Sequence, residues 1–230
     1  MKLLLLLAAG LMLPAAPGPV LTGFPFTDET LNYNINWPGG LSFGEGHLQA
    51  KHAASGWGFE FALDASVPGF AVKDSYASLA NADFCSMEFS KQFVHGARKG
   101  GEKEEIDRAH ETATRQTLNG GGKGEFPISD CVKDALTLLF YTRRELGQGR
   151  VPPAQPMLFG GLYETRLAYS GAQTIPVAGK SEVTDKIVCT VKGNASSVQF
   201  EIYFARDAAR TPLLFKVPLP IGRISMELVR

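Results

Sequence analysis

The chain has 230 residues, 44% of them hydrophobic, and its 23 basic and 23 acidic side chains cancel. An even charge offers no footing for nucleic acid, which ordinarily needs a basic excess. The low charge and the 10% aromatic content argue against a disordered chain.

Met1 to about Gly18 reads as a secretory leader. Lys2 supplies the positive start, Leu3 to Leu13 the apolar run, and Pro14-Ala15-Ala16 the small residues near a cleavage site. The run is too short to cross a bilayer, and no cysteine follows it for lipid attachment. The expectation is residues 1–18 as a leader and 19–230 as one β-rich domain, exported, periplasmic, and with no transmembrane segment once mature.

Period-two alternation dominates the chain from Leu31 onward. Leu31, Tyr33, Ile35 and Trp37 line one strand, and Leu41 to Ala50 a second in which Gly44 and Gly46 invite a bend. Trp57, Phe59, Phe61, Leu63, Ala65 and Val67 give the clearest alternation, then Val72 to Ser78 continues a meander. Phe84 to Val94 and Glu104 to Leu118 read as hairpin arms around a charged, solvated loop from Gly96 to Lys103. Asn119 to Gly124 reads as a flexible connector.

Ser129 to Gly147 is the one long helix. Ser129 or Asp130 is placed to cap it and Gly147 to end it, with Arg143 and Arg144 in the last turn, where the helix dipole favours cations. Val132, Ala135, Leu136, Leu138, Leu139, Phe140 and Leu146 spread over an arc of about 200°, too wide for a helix lying on a surface. Strands resume at Met157–Tyr169, Gln173–Val177, Val183–Val191, Val198–Arg206, Leu213–Val217 and Arg223–Val229. The pattern predicts a mainly β fold: a curved antiparallel sheet or half-open β-barrel of about ten to twelve strands wrapped around the central helix 129–147. A membrane barrel is the alternative for an exported alternating chain; the Leu-rich helix and the Leu228-Val229-Arg230 terminus count against it.

Of the three cysteines, Cys189 alternates with Ile187 and Val191 as a core thiol. Cys85 and Cys131 are a candidate disulfide closing a loop of about 46 residues, worth on the order of 4 kcal/mol. Sequence alone does not assign that connectivity.

Three features together resemble domain of unknown function 3108, a family of exported bacterial β-rich proteins without an assigned activity. They are the Tyr33 strand with Gly44-Glu45-Gly46, the helical run Asp134 to Arg144, and Phe204-Ala-Arg-Asp207-Ala-Ala-Arg210-Thr-Pro212 with Met226-Glu227-Leu228 at the end. The resemblance runs from Leu31 to Val229 and implies a curved antiparallel sheet with a packed helix and an envelope location. It brings no catalytic residues.

Motifs for chemistry are sparse. Gly120 to Gly124 lacks phosphate-loop spacing, and the histidines His47, His52, His95 and His110 form neither HxH nor HExxH. No GxSxG elbow is present. No catalytic, cofactor-binding or metal residue is assigned, and no cofactor is expected.

One constellation stands out. Arg143 falls roughly 20° from Val132 on the helical wheel, inside the apolar arc, so it needs a carboxylate partner. Asp207 is the candidate, with Arg210 joining a structural ion-pair network; the functional alternative is a site for an anion or polar headgroup at one mouth of the barrel.

The leading functional expectation is a non-enzymatic envelope protein that holds a lipid, another apolar ligand or an envelope protein in a space lined by side chains such as Phe59, Phe61, Leu63 and Tyr76, or one whose scaffold is purely structural. The alternatives are a hydrolase of envelope glycans or lipids, and an assembly scaffold pairing through a sheet edge.

Overall fold

The computed structural model describes residues 28–53, 56–67, 69–194, 196–219 and 222–229, so the expected leader, 1–18, lies outside the described residues. From the amino end run β1 (Glu29–Asn36), β2 (Ser42–Ala53), β3 (Gly56–Val67) and β4 (Phe70–Asn81). β5 (Ser86–His95), β6 (Arg98–Asp107), β7 (Thr112–Thr117), β8 (Lys123–Pro127) and the two-residue β9 (Lys133–Asp134) lead to α1 (Ala135–Gly147). Beyond the helix come β10 (Gln155–Leu158), β11 (Leu162–Val177), β12 (Lys180–Lys192), β13 (Ser197–Ala205), β14 (Pro212–Leu219) and β15 (Gly222–Leu228).

All 15 strands join one sheet. The first and last strands pair at its middle, Tyr33 opposite Leu228, and neighbours follow chain order outward to β8 on one side and β9 on the other. Every described pairing is antiparallel except β9 with β10. A meander of this kind needs only short turns, so local alternation sets most of the register. The sheet is large, open and curved; it is not a closed barrel, and its strands outnumber the ten to twelve expected.

The surplus arises where sequence signals were weakest. Arg98–Asp107, read as loop and the start of one arm, is strand β6. Its few apolar residues are offset by cross-strand ion pairs, Lys91 to Glu102 at 2.5 Å and Lys103 to Glu88 at 2.9 Å. Gly100 lets the Phe93 ring lie on the backbone, since a Cβ there would stand 2.8 Å from that ring. The expected arm Glu104–Leu118 is cut by a turn at Arg108–Glu111, and Lys123–Pro127 forms β8. Conversely, Gln173–Val177 belongs to the same long strand as Leu162, with a bulge between Tyr169 and Ala172.

The helix starts six residues later than the expected Ser129. Asp134 is the cap, its Oδ1 accepting from the Leu136 and Thr137 amides at 2.9 and 3.0 Å. Residues before it are drawn into sheet contacts instead: the Ser86 amide donates to the Val132 carbonyl at 3.0 Å. Leu136, Phe140 and Leu146 then join one core with Tyr33, Phe59 and Ile202, so both halves of the sheet pack on the helix.

Candidate functional site

Both ends of the helix are fixed by buried polar groups. At its start the Asp134 carboxylate, 0% exposed, also accepts from the hydroxyls of Ser78, Ser86 and Thr137 at 2.6, 2.5 and 2.8 Å. Burial raises its pKa, and those hydrogen bonds offset part of the rise. Beside this knot Cys85 is bonded to Cys131, linking the entry to β5 with the entry to β9 and the helix.

Near the carboxyl end Arg143 is buried inside the apolar arc, but Asp207 is not its carboxylate. Its Nη1 and Nη2 reach Glu29 of β1 at 2.7 and 3.0 Å, and its Nε donates to the Ala209 carbonyl at 3.0 Å. Asp207 instead accepts from the Thr211 amide and hydroxyl at 2.9 and 2.7 Å, closing the β13–β14 turn. Arg210 pairs with Asp185 at 2.9 Å. The three residues expected to form one network therefore serve three separate contacts. Glu29 was missed because nothing in the sequence links residues so far apart.

The helix flank facing β3 is filled. Phe59 stacks on Phe140 with centroids 4.1 Å apart and planes 7° from parallel, and Phe61 stacks on Tyr76. The space expected beside Phe59, Phe61, Leu63 and Tyr76 is occupied by these rings and does not coincide with the groove that exists.

That groove lies on the opposite flank. Ala135, Leu138, Leu139 and Thr142, one face of α1 at helical spacing, form one wall. Met157, Phe159, Leu167, Cys189 and Val191 supply part of the other, with Val198, Phe200, Ile202 and Phe215 completing it. The half-open groove has a volume of about 290 Å³, just below the usual range of small-ligand sites. The Thr142 hydroxyl donates to the Leu138 carbonyl at 2.7 Å, so it offers a ligand little. Cys189 is 3% exposed, and burial pushes its thiol up to about 12, far from nucleophilic use. Among the described residues no charged side chain lines the groove.

One buried acid sits apart from it. Glu104 is 0% exposed, and among the described residues neither of its oxygens meets a donor in good geometry. Burial pushes it up to about 7, nearby Glu102 adds to the rise, and the Gly160 amide and Lys91 offset only part of it.

Among the described residues no helix is long and apolar enough to cross a membrane. The crystal structure of a β-barrel-like protein of domain of unknown function DUF1849 from Brucella abortus is similar in fold, with a TM-score of 0.64 at 7% identity over 89% of this chain and 96% of that one. No curated protein matches the chain. The sequence model of the family of proteins of unknown function DUF3108 matches residues 32–229, and the chain belongs to that family.

Proposed function

We propose that this protein is an exported, non-enzymatic envelope protein that holds the hydrocarbon chain of a lipid in the groove between α1 and β11–β14. The observation that carries the reading is the lining: thirteen residues, none charged, with its one hydroxyl already bonded to the helix. A peptide seated there would leave its amides and carbonyls without partners, each costing roughly 1–3 kcal/mol. A hydrocarbon has no such groups, and burying eight methylenes gains on the order of 6 kcal/mol.

The Cys85–Cys131 bond supports export, because disulfides persist in oxidising compartments. A hydrolase is less well supported, since among the described residues the groove holds neither a carboxylate nor a usable nucleophile. Assembly through the β8 edge is also disfavoured: the strand has five residues, including Lys123, Glu125 and Pro127, which blunt an edge against pairing.

The test uses the neutral fluorescent probe N-phenyl-1-naphthylamine. The wild type should raise its emission, and displacement by dodecanol should reverse the rise. Val191→Trp with Val198→Trp, cross-strand partners at one end of the groove, should abolish binding while the melting temperature holds. Undiminished binding in that variant would refute the assignment.

A further inference from the structure

Beyond the groove, the same face of the fold carries a second cavity of about 510 Å³, lined by Leu146, Arg150, Tyr169, Asp185, Arg206 and Arg210 among others. Sheet register shows how the two are related. The pairs Leu167–Cys189 and Cys189–Phe200 form one rung inside the apolar groove. On the next rung Tyr169, which lines the second cavity, is paired through Ile187 with Ile202, which lines the first. One more step along β12 brings Asp185, whose partner on β13 is Phe204, and Arg206 follows just past the end of β13. On the helix the wall Ala135, Leu138, Leu139 and Thr142 continues one turn on to Leu146, a lining residue of the second cavity. Ile187, 0% exposed and part of the packed core, lies between Cys189 and Asp185 on β12. Cys189 and Asp185 stand about 13 Å apart along the strand.

The second cavity differs in charge. Its lining holds three guanidiniums and one carboxylate. Asp185 Oδ1 accepts from Arg206 Nε and Nη2 at 3.0 and 2.7 Å and from the Tyr169 hydroxyl at 3.2 Å, while Oδ2 accepts from Arg210 at 2.9 Å. Arg150 donates through Nε to buried Glu145. Each guanidinium carries five N–H groups, so most of them remain available among the described residues. The helix end brings a partial negative charge there, which the guanidiniums outnumber. The carbonyls of Arg144, Glu145 and Leu146 already accept from the amides of Gln148, Gly149 and Arg150.

We infer that the ligand is an anionic single-chain amphiphile, whose phosphate or carboxylate headgroup sits among Arg150, Arg206 and Arg210 while its chain enters the apolar groove. Asp185 is then a positioning residue that aims two of the guanidiniums. The inference rests on the hydrocarbon reading of the groove and adds the class of headgroup.

Displacement of N-phenyl-1-naphthylamine by three compounds tests it: dodecyl phosphate, dodecanol and inorganic phosphate. The wild type should bind dodecyl phosphate roughly tenfold or more tighter than dodecanol. Arg150→Gln with Arg206→Gln, both side chains well exposed, should erase that preference and leave dodecanol affinity unchanged, which also reports an intact fold. Inorganic phosphate should displace nothing. Equal affinities for the two chains in the wild type, or a preference that survives the double substitution, would overturn the headgroup site and leave the groove standing. Failure of both chains to displace the probe would overturn both, and displacement by inorganic phosphate at the concentration of dodecyl phosphate would show that the anion acts without a chain and overturn the amphiphile.

Discussion

Arg143 and Glu29 meet in a two-pronged ion pair, Nη1 to Oε2 at 2.7 Å and Nη2 to Oε1 at 3.0 Å, that ties the last turn of the helix to the first strand of the sheet. The Arg143 side chain is fully buried, and Glu29 keeps 16% of its own exposed. The geometry is the planar fork that guanidinium and carboxylate favour. It fixes the helix at the middle of the sheet, where β1 meets β15, and so holds the wall of the groove in place.

Removing the carboxylate leaves a buried guanidinium with only part of its hydrogen bonding. Glu29→Ala should therefore destabilise the fold by about 3–5 kcal/mol. Asp207→Ala loses only a turn-closing pair of bonds to Thr211 and should cost about 1 kcal/mol. Urea denaturation of both variants checks the ranking; a larger loss for Asp207→Ala would reverse the assignment.

The Cys85–Cys131 bond closes a loop with a sequence separation of 46. Chain entropy puts its contribution at on the order of 4 kcal/mol. Cys85→Ser with Cys131→Ser should lower the denaturation midpoint accordingly, and dithiothreitol should shift the wild type toward the double variant without affecting the variant itself. An unchanged midpoint would show that the clasp adds no stability.

Glu104 predicts a pH dependence of definite sign. Its folded pKa, about 7, lies above the ordinary 4.5, so the folded state holds the proton more tightly than the unfolded chain. This contribution is present below about pH 4.5 and is lost as pH rises to about 7, for a total of on the order of 3 kcal/mol. Glu104→Gln stays neutral beside Glu102, Lys91 and Arg115. It should match the wild type near pH 4.5 and exceed it in melting temperature at pH 8. The same gap at both values would rule out titration of this group.

The strands that alternate cleanly, such as Trp57–Val67, were legible because half their residues face the core. Strand β6 was not, since Lys99, Glu102 and Lys103 read as solvated charge until their cross-strand partners are known. The helix was legible as an object, but its start was displaced by partners distant in sequence, Ser78 and Ser86 on Asp134. Arg143 announced itself by lying within an apolar arc, while Glu29 stands 114 residues away and gave no sign. The expected apolar space was placed on the wrong flank. Alternation shows that Phe59 points inward, but not that it stacks on Phe140 and fills the space it faces.

Photolabelling with a diazirine-bearing long-chain alcohol, followed by peptide mapping, tests the groove most directly. Label should concentrate on the helix segment 135–142 and on β13 around Val198, Phe200 and Ile202, and excess dodecanol should suppress it. Label spread over exposed apolar residues such as Leu41, Phe70 and Val183, indifferent to dodecanol, would contradict the account.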